Sequence, residues 1–416
     1  MATASARALA VAALDQWRHG HRFADAILQH LLSTSELSGS DRSFATELFY
    51  GILRNLSLLD FWIGELRSGS LDDRSRDLLR LGLYQLFCLN TAGHAAVFET
   101  VALAPKTSRS LVNAILRNAL RRADELRSAA DAADLAIRKS HPTFLIERWT
   151  EAFGIEPAAA LCEWNNQPAP IYARVNQLKT DTAAFASADD TRQVLPDRAN
   201  FVRLSTIPGD ALERGECYIQ DPSTAVACEL LDAKPGEAVL DACAAPGGKT
   251  AYLAERMQNR GELIACDREP ARLAILTANL ERLGATIAKI AQQDWLAEEL
   301  APALHRRYFD RILVDAPCTN TGVMRRRVDV RWRLTRDDFA RMAAEQLKIL
   351  RAVVPRLKRG GALVYSTCSI EPEENDGVVT RLLKEFPSMR FEEQRSVLPF
   401  RDGFDGAFAS KLIRAA

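Results

Sequence analysis

The chain has 416 residues, enough for two or three domains with their own cores, so no disulfide or metal staple is required for folding. Apolar residues make up 47% and charged residues 26%, ordinary proportions for a soluble protein, and 54 Lys plus Arg balance 54 Asp plus Glu. A formal net charge of zero excludes a globally basic binder, so any surface for nucleic acid has to be local. The eight cysteines include no Cys-x-x-Cys pair, which removes support for zinc and thioredoxin-type chemistry, and no metal site is expected. Several of them lie in apolar runs, where cysteine acts as a small buried hydrophobe, and this fits a reducing, cytoplasmic location. The apolar stretch 7–14 is cut short by Asp15 and Arg18 and reads as a helix rather than a signal core. No run approaches the roughly 18 apolar residues of a membrane span.

From Ser5 to about Arg127 aliphatic residues recur at steps of three and four, as in Ile27, Leu28, Leu31 and Leu32 and again in Leu78, Leu79, Leu83 and Leu86, which predicts helices throughout. Ser38-Gly-Ser40 and Ser68-Gly-Ser70 mark breaks, and Asp41 and Asp72 are candidate helix starts. An Ala- and Asp-rich connecting helix over 128–137 ends at Ser140-His141-Pro142, because the residue before proline avoids helical geometry. A mixed segment with extended-looking 171–176 and 201–204 runs to about Glu216. Strands then alternate with helices. Candidate strands are 238–241, 263–267, 287–291, 311–315 and 362–366, the pattern of a parallel α/β sheet. The expected organisation is multidomain, with an all-α part over 1–135, a small α+β part over 136–216 and a Rossmann-like α/β domain over 217–416.

Residues 238–250 organise the last of these. A buried-type apolar strand ends at Asp241, a small-residue loop follows, and a helix opens near Thr250. Glycine in such a loop lets the backbone approach a ligand, and the amides at the helix start can meet an anionic group. Gly248-Lys249-Thr250 matches the end of a triphosphate-binding loop, but Cys243 stands where its first glycine is required, and no Gly-x-Gly-x-x-Gly is present. The loop resembles that of S-adenosylmethionine-dependent methyltransferases, and Asp267 stands about 20 residues further on, where a ribose-binding acid is expected. Ligand crevices of open parallel sheets lie beyond the carboxyl ends of the strands, so Asp241, Asp267, Asp294 and Asp315 are expected to converge there.

Two cysteines at separate strand ends decide the reaction class: Cys318 in Asp315-Ala-Pro-Cys318 and Cys368 in Ser366-Thr-Cys368. Both can face one crevice, and a thiolate is a good nucleophile. Together with the loop, and with the run Ser366-Thr-Cys-Ser-Ile-x-Pro-x-Glu-Asn375, these motifs resemble the Sun/Nop family of RNA cytosine-C5 methyltransferases. In the helical region Glu47, Tyr50, Gly51, Arg80, Gly82, Tyr84 and Asn113, with His94 and Glu99, resemble the RNA-binding antitermination factor NusB, a domain fused in front of one branch of that family. Two departures stand out. Thr319-Asn320-Thr-Gly322 replaces the usual Ser-Gly-Thr-Gly, which Asn tolerates better than most residues because it accepts left-handed geometry, and Arg325-Arg-Arg-Val-Asp329 replaces Arg-Arg-His-Pro-Asp.

The resemblance implies roles. Cys368 is the nucleophile that adds to C6 of the base, Cys318 assists loss of the C5 proton and product release, and Asp315 hydrogen-bonds the N3/N4 edge. Cys243, Ala244, Ala245, Pro246, Gly247, Gly248 and Lys249 cradle the methionine end of S-adenosyl-L-methionine, Asp267 holds the ribose and Asp294 the adenine, with Asp315 bordering the same site. Arg174 and Asn176 match a segment that helps hold RNA. Arg325, Arg326 and Arg327, with Arg331 and Arg333 around Trp332, form a candidate local basic patch. The expected partner is small-subunit (16S) ribosomal RNA; a transfer RNA substrate and a non-catalytic RNA-binding or assembly role stay open, and no membrane partner is expected.

Overall fold

The structure, a computed structural model, describes residues 5–416. These residues form two compact units, one running to Pro168 and including Met324–Leu334, the other comprising Ala169–Val323 and Thr335–Ala416. The boundaries drawn from sequence at 135 and 216 are not where the units part, because the helices Thr143–Phe153 and Ile155–Asn166 group with the helices before them.

The first unit is all-helical, and its helices start where small polar residues can cap them. Ser38 Oγ accepts from Asp41 N at the start of Gly39–Arg54, and Asp72 Oδ1 accepts from Ser75 N at the start of Asp73–Phe87. Leu9, Leu14, Leu48, Phe49, Leu53, Leu78, Leu79 and Leu116 fill one core. Gly51 is where the Tyr84 ring seats: a Cβ there would lie 2.0 Å from the ring, and the Tyr84 hydroxyl donates to Glu47 Oε1 at 2.6 Å.

Residues 324–334 join this unit as packing, which corrects the candidate basic patch. Val328 belongs to the helical core, with Trp332 packed against it, and the Trp332 indole donates to Leu53 O at 2.8 Å. Asp329 Oδ2 accepts from Ala24 N, Trp17 Nε1 and Arg333 Nε. Arg331 is fully buried and donates to Ser140 O, Asn165 O and Asn166 Oδ1. Arg325 is buried too, donating to Pro168 O at 2.6 Å with its guanidinium 4.1 Å from the Trp164 ring centre. Of Arg325, Arg326 and Arg327, only Arg327 is fully exposed, and Arg326 is half-buried. The arginines of this run thus point in several directions, with Arg325 and Arg331 buried, Arg326 and Arg333 half-buried and Arg327 exposed.

The second unit holds two sheets. Strands β1 (Ile171–Val175), β2 (Gln193–Leu195), β3 (Arg198–Leu204) and β4 (Cys217–Ile219) form an antiparallel sheet in the order β2-β3-β1-β4. Here Arg174 and Asn176 are fasteners, a correction to the expectation that they face RNA. Arg174 is fully buried, pairs with Glu255 at 2.5 Å and lies 4.5 Å from the Tyr252 ring centre, while Asn176 Nδ2 donates to Gly215 O and Leu283 O, both at 2.8 Å. Their chemistry is spent on holding the small sheet to the helix Gly248–Arg256 and to the end of the helix Pro270–Leu283.

The large sheet contains β5 (Ala238–Asp241), β6 (Glu262–Asp267), β7 (Ala288–Gln292), β8 (Phe309–Asp315), β9 (Leu357–Thr367), β10 (Met389–Val397) and β11 (Ala407–Arg414), in the order β10-β11-β9-β8-β5-β6-β7. Strands β9, β8, β5, β6 and β7 are parallel, and all but the edge strand β7 are buried through their middles, which is why they read as apolar runs. β11 adds antiparallel to β9, and β10 to β11. Chain order reverses between β5 and β8, so a crevice opens beyond the ends of those two strands.

Candidate active site

The loop after β5 is shaped by close backbone contacts. Gly247 has φ +108°, and a Cβ there would meet Leu276 at 2.8 Å; a Cβ on Gly248 would meet the Tyr218 ring at 2.6 Å. Ala244 N donates to Cys266 O and Ala245 N to Asp267 Oδ2, so the loop lies over the end of β6. Asp267 is almost fully buried and also accepts from Glu269 N at 3.2 Å. Asp294 lies two residues past β7 and is exposed, accepting from Leu296 N, while the neighbouring Trp295 indole ties this turn to Ala242 O at 2.7 Å. Pro246 is exposed at the loop tip.

Asp241 Oδ2 accepts from the Thr250 hydroxyl at 2.7 Å, and its buried Oδ1 has no hydrogen-bond partner among the described residues. Burial, eased by the Thr250 bond and reinforced by Asp315, pushes the Asp241 carboxyl up to about 7. An acceptor left open in this way suits the ammonium group of an amino-acid ligand, and Asp267 suits a ribose diol. The donor set therefore fits S-adenosylmethionine. Cys243 is unsuited to nucleophilic work, because burial and the carboxylates of Asp241, Asp315 and Asp267 push its thiol well above the ordinary range.

At the ends of the adjacent strands β8 and β9 the two expected cysteines meet. Cys318 Sγ and Cys368 Sγ are 3.2 Å apart, both thiols free and half-buried. The bond with Cys368, then burial and the charge of that neighbour, push the Cys318 thiol well above its ordinary range. Asn320 adopts the left-handed conformation at φ 60°; its Nδ2 donates to Cys318 O at 2.7 Å and its Oδ1 accepts from Cys368 Sγ at 3.2 Å. A glycine at this position has no such bridge. Asp315 accepts from Lys249 Nζ at 2.7 Å and from Ser366 Oγ at 3.1 Å. Burial opposes the Lys249 ammonium, but the charge and hydrogen bond of Asp315, with smaller help from Cys228 and Cys368, hold the lysine above its ordinary range.

Sequence reasoning brought Asp241, Asp267, Asp315, Cys318 and Cys368 to one end of the sheet, where the structure has them. It missed the pairing of Lys249 with Asp315, the contact of Asn320 with Cys368, and Glu374, a buried carboxylate behind both cysteine loops. The first two join residues 66 and 48 positions apart, and no local pattern announces them. Glu374 does stand inside the Pro-x-Glu-Asn motif, the one signal that could have drawn attention to it.

Comparison with known proteins agrees with this geometry. The family described as 16S rRNA methyltransferase RsmB/F matches residues 228–413, the NusB family matches 4–121, and the RsmF/B-like ferredoxin-like domain matches 141–188. The probable ribosomal RNA small subunit methyltransferase B of Bacillus subtilis (strain 168) is 35% identical, with 97% of this chain and 95% of the relative covered. The crystal structure of PH0851 shares the fold, with a TM-score of 0.79 at 24% identity over 98% of this chain and 97% of the other. A methyltransferase homologue from Pyrococcus horikoshii gives a TM-score of 0.60 at 30% identity, covering 68% of this chain and 98% of its own. The chain thus belongs to the 16S rRNA methyltransferase RsmB/F family, with a NusB-type helical domain ahead of its methyltransferase domain.

Proposed function

We propose that this RNA methyltransferase forms 5-methylcytosine in 16S ribosomal RNA through a covalent bond between Cys368 and C6 of the target base, with S-adenosylmethionine as methyl donor. The observation that carries the reading is the pair of free thiols 3.2 Å apart at the ends of β8 and β9, beside the Asp315 carboxylate that accepts from Lys249. Bound S-adenosylmethionine supplies an electrophilic methyl group, held by the 243–249 loop, Asp241 and Asp267, with Asp294 at the adenine end. C5 of cytosine is too weak a nucleophile by itself, and addition of the Cys368 thiolate to C6 places the electron pair at C5. Asp315 accepts from the exocyclic N4 amino group, and Lys249 beside it steadies the charge. Methylation leaves C5 with one proton too many, and its removal re-forms the C5–C6 double bond and expels Cys368 as thiolate. Cys318 suits that second step. Its sulfur lies 3.2 Å from Cys368 Sγ, within reach of a base bonded to that cysteine, so it is placed to take the C5 proton. The target base has to leave its stack to reach such a site, and a ribosomal RNA substrate like that named for the bacterial relatives would have the enzyme work in the cytoplasm.

The test is adduct trapping. With 16S RNA and S-adenosylmethionine, Cys318→Ala should accumulate a nuclease-sensitive, slowly migrating band on denaturing gels, absent in Cys368→Ala and in the double variant. An adduct confined to Cys368→Ala would reverse the two roles. Full activity without adduct in both single variants would end the cysteine mechanism, and a band formed with transfer RNA but not with 16S RNA would change the substrate.

A further inference from the structure

Glu374 is fully buried in the turn between β9 and the helix Asp376–Glu385, and among the described residues no Lys or Arg pairs with it. Four donors share its carboxylate instead. Oε1 accepts from the hydroxyls of Thr319 and Ser369, the latter at 2.6 Å; Oε2 accepts from Thr319 N at 2.9 Å and Gln346 Nε2 at 2.8 Å. Thr319 directly follows Cys318, and Ser369 directly follows Cys368. Gln346 Nε2 also donates to Pro317 O, on the other side of Cys318, and Gln346 Oε1 accepts from the Tyr365 hydroxyl. The register of β8 on β9 is already set by the ladder that ends at Asp315 opposite Ser366, so these bonds add nothing to the sheet. What they join is the two loops beyond it. We propose that Glu374 is the positioning residue that holds the Cys318 and Cys368 thiols at their working separation.

The inference rests on the cysteine pair acting together, and its test has an arm that needs neither RNA nor cofactor. Thiols 3.2 Å apart are in direct contact, so oxidised glutathione should link them by thiol–disulfide exchange, releasing two equivalents of glutathione. Peptide mass spectrometry after alkylation reads the rate of that link against the other six cysteines. In the full-length enzyme, Glu374→Ala removes the buried carboxylate that accepts from both loops and leaves only the direct contacts seen between them, such as Gly322 N to Cys368 O and Ile370 N to Thr321 Oγ1, and it should slow the Cys318–Cys368 link about tenfold. It should also lower kcat by on the order of 100-fold, the scale of a roughly 1 Å misplacement, with the KM for RNA and the Kd for S-adenosylmethionine within about twofold. Glu374→Gln should rescue most of both. Its amide oxygen can face the two N–H donors while its NH2 faces two hydroxyls, which can rotate to accept. Thr319→Val combined with Ser369→Ala removes the hydroxyl anchors without touching the carboxylate and should reproduce the direction of both losses, which keeps the question open to measurement if Glu374→Ala fails to fold. Unchanged linking in folded Glu374→Ala, or in the double variant, would overturn the proposal, as would a fall in kcat matched by an equal loss of cofactor affinity. A wild-type protein that links its thiols but never methylates RNA would instead count against the proposed reaction alone.

Discussion

Replacing Asp267 with alanine tests the cofactor site most directly. In the structure this carboxylate has two duties: it accepts from Ala245 N at 3.3 Å and Glu269 N at 3.2 Å, with Arg272 Nη1 at 3.3 Å, and it is the acid at the end of β6 where a ribose diol would bind. A hydrogen bond to a charged acceptor contributes about 1.5–3 kcal/mol. Losing the ribose contact should therefore weaken S-adenosylmethionine binding by about 10- to 150-fold. The lost backbone contacts appear separately, as a lower melting temperature without ligand. Titration calorimetry measures the first and a thermal scan the second. Wild-type affinity in a folded Asp267→Ala variant would refute the assignment. ATP should compete poorly in the same titration, because Cys243 replaces the glycine a triphosphate loop needs, and tight ATP binding would contradict that reading.

Two further outcomes follow from burial. Arg327 is the exposed arginine of its run, so Arg327→Ala should reduce the slope of log affinity against log salt for single-stranded RNA by about 0.7, whereas Arg331→Ala should leave the slope alone and cost about 2–4 kcal/mol of stability in urea titrations. A changed slope with intact stability in Arg331→Ala would show that the buried guanidinium meets RNA after all. Asp241, with its carboxyl pushed up to about 7, is neutral below that pH and ionised above it. Because the fold raises this acid, its own contribution to stability is fully present below about pH 4 and is lost as pH rises towards 7. Affinity for a ligand ammonium should move the other way, strengthening as pH rises through 7, and Asp241→Asn should flatten that profile in calorimetry between about pH 5.5 and 8.5; an identical profile in the variant would remove Asp241 from the cofactor site.

Much of this protein is legible along the chain because its chemistry sits at the ends of strands buried on both faces. Such strands have to be apolar from end to end, so Val239-Leu240, Leu263-Ile264 and Ile312-Leu313-Val314 announce themselves, and the polar residue that closes each run is placed at the crevice by the rules of parallel sheets. Asp241, Asp267 and Asp315 were found in that way, and Cys318 and Cys368 by the motifs that continue from strand ends. The hairpin of β10 and β11 was less legible, because β10 is an edge strand whose middle is mostly exposed and polar. Side-chain direction lay beyond the sequence altogether. Arg174, Arg325 and Arg331 carry the composition of a nucleic-acid surface, yet each is buried, because Glu255 and Tyr252, Trp164 and Pro168, and the carbonyls around Ser140 and Asn165 surround them in space. Those partners lie 78 to 191 positions away or more than 150 residues upstream, and only the packed fold decides that a charge is spent on them rather than offered to solvent. The same holds for Glu374: its motif is visible in the sequence, but that its four hydrogen bonds reach both cysteine loops is a property of β8 and β9 lying side by side.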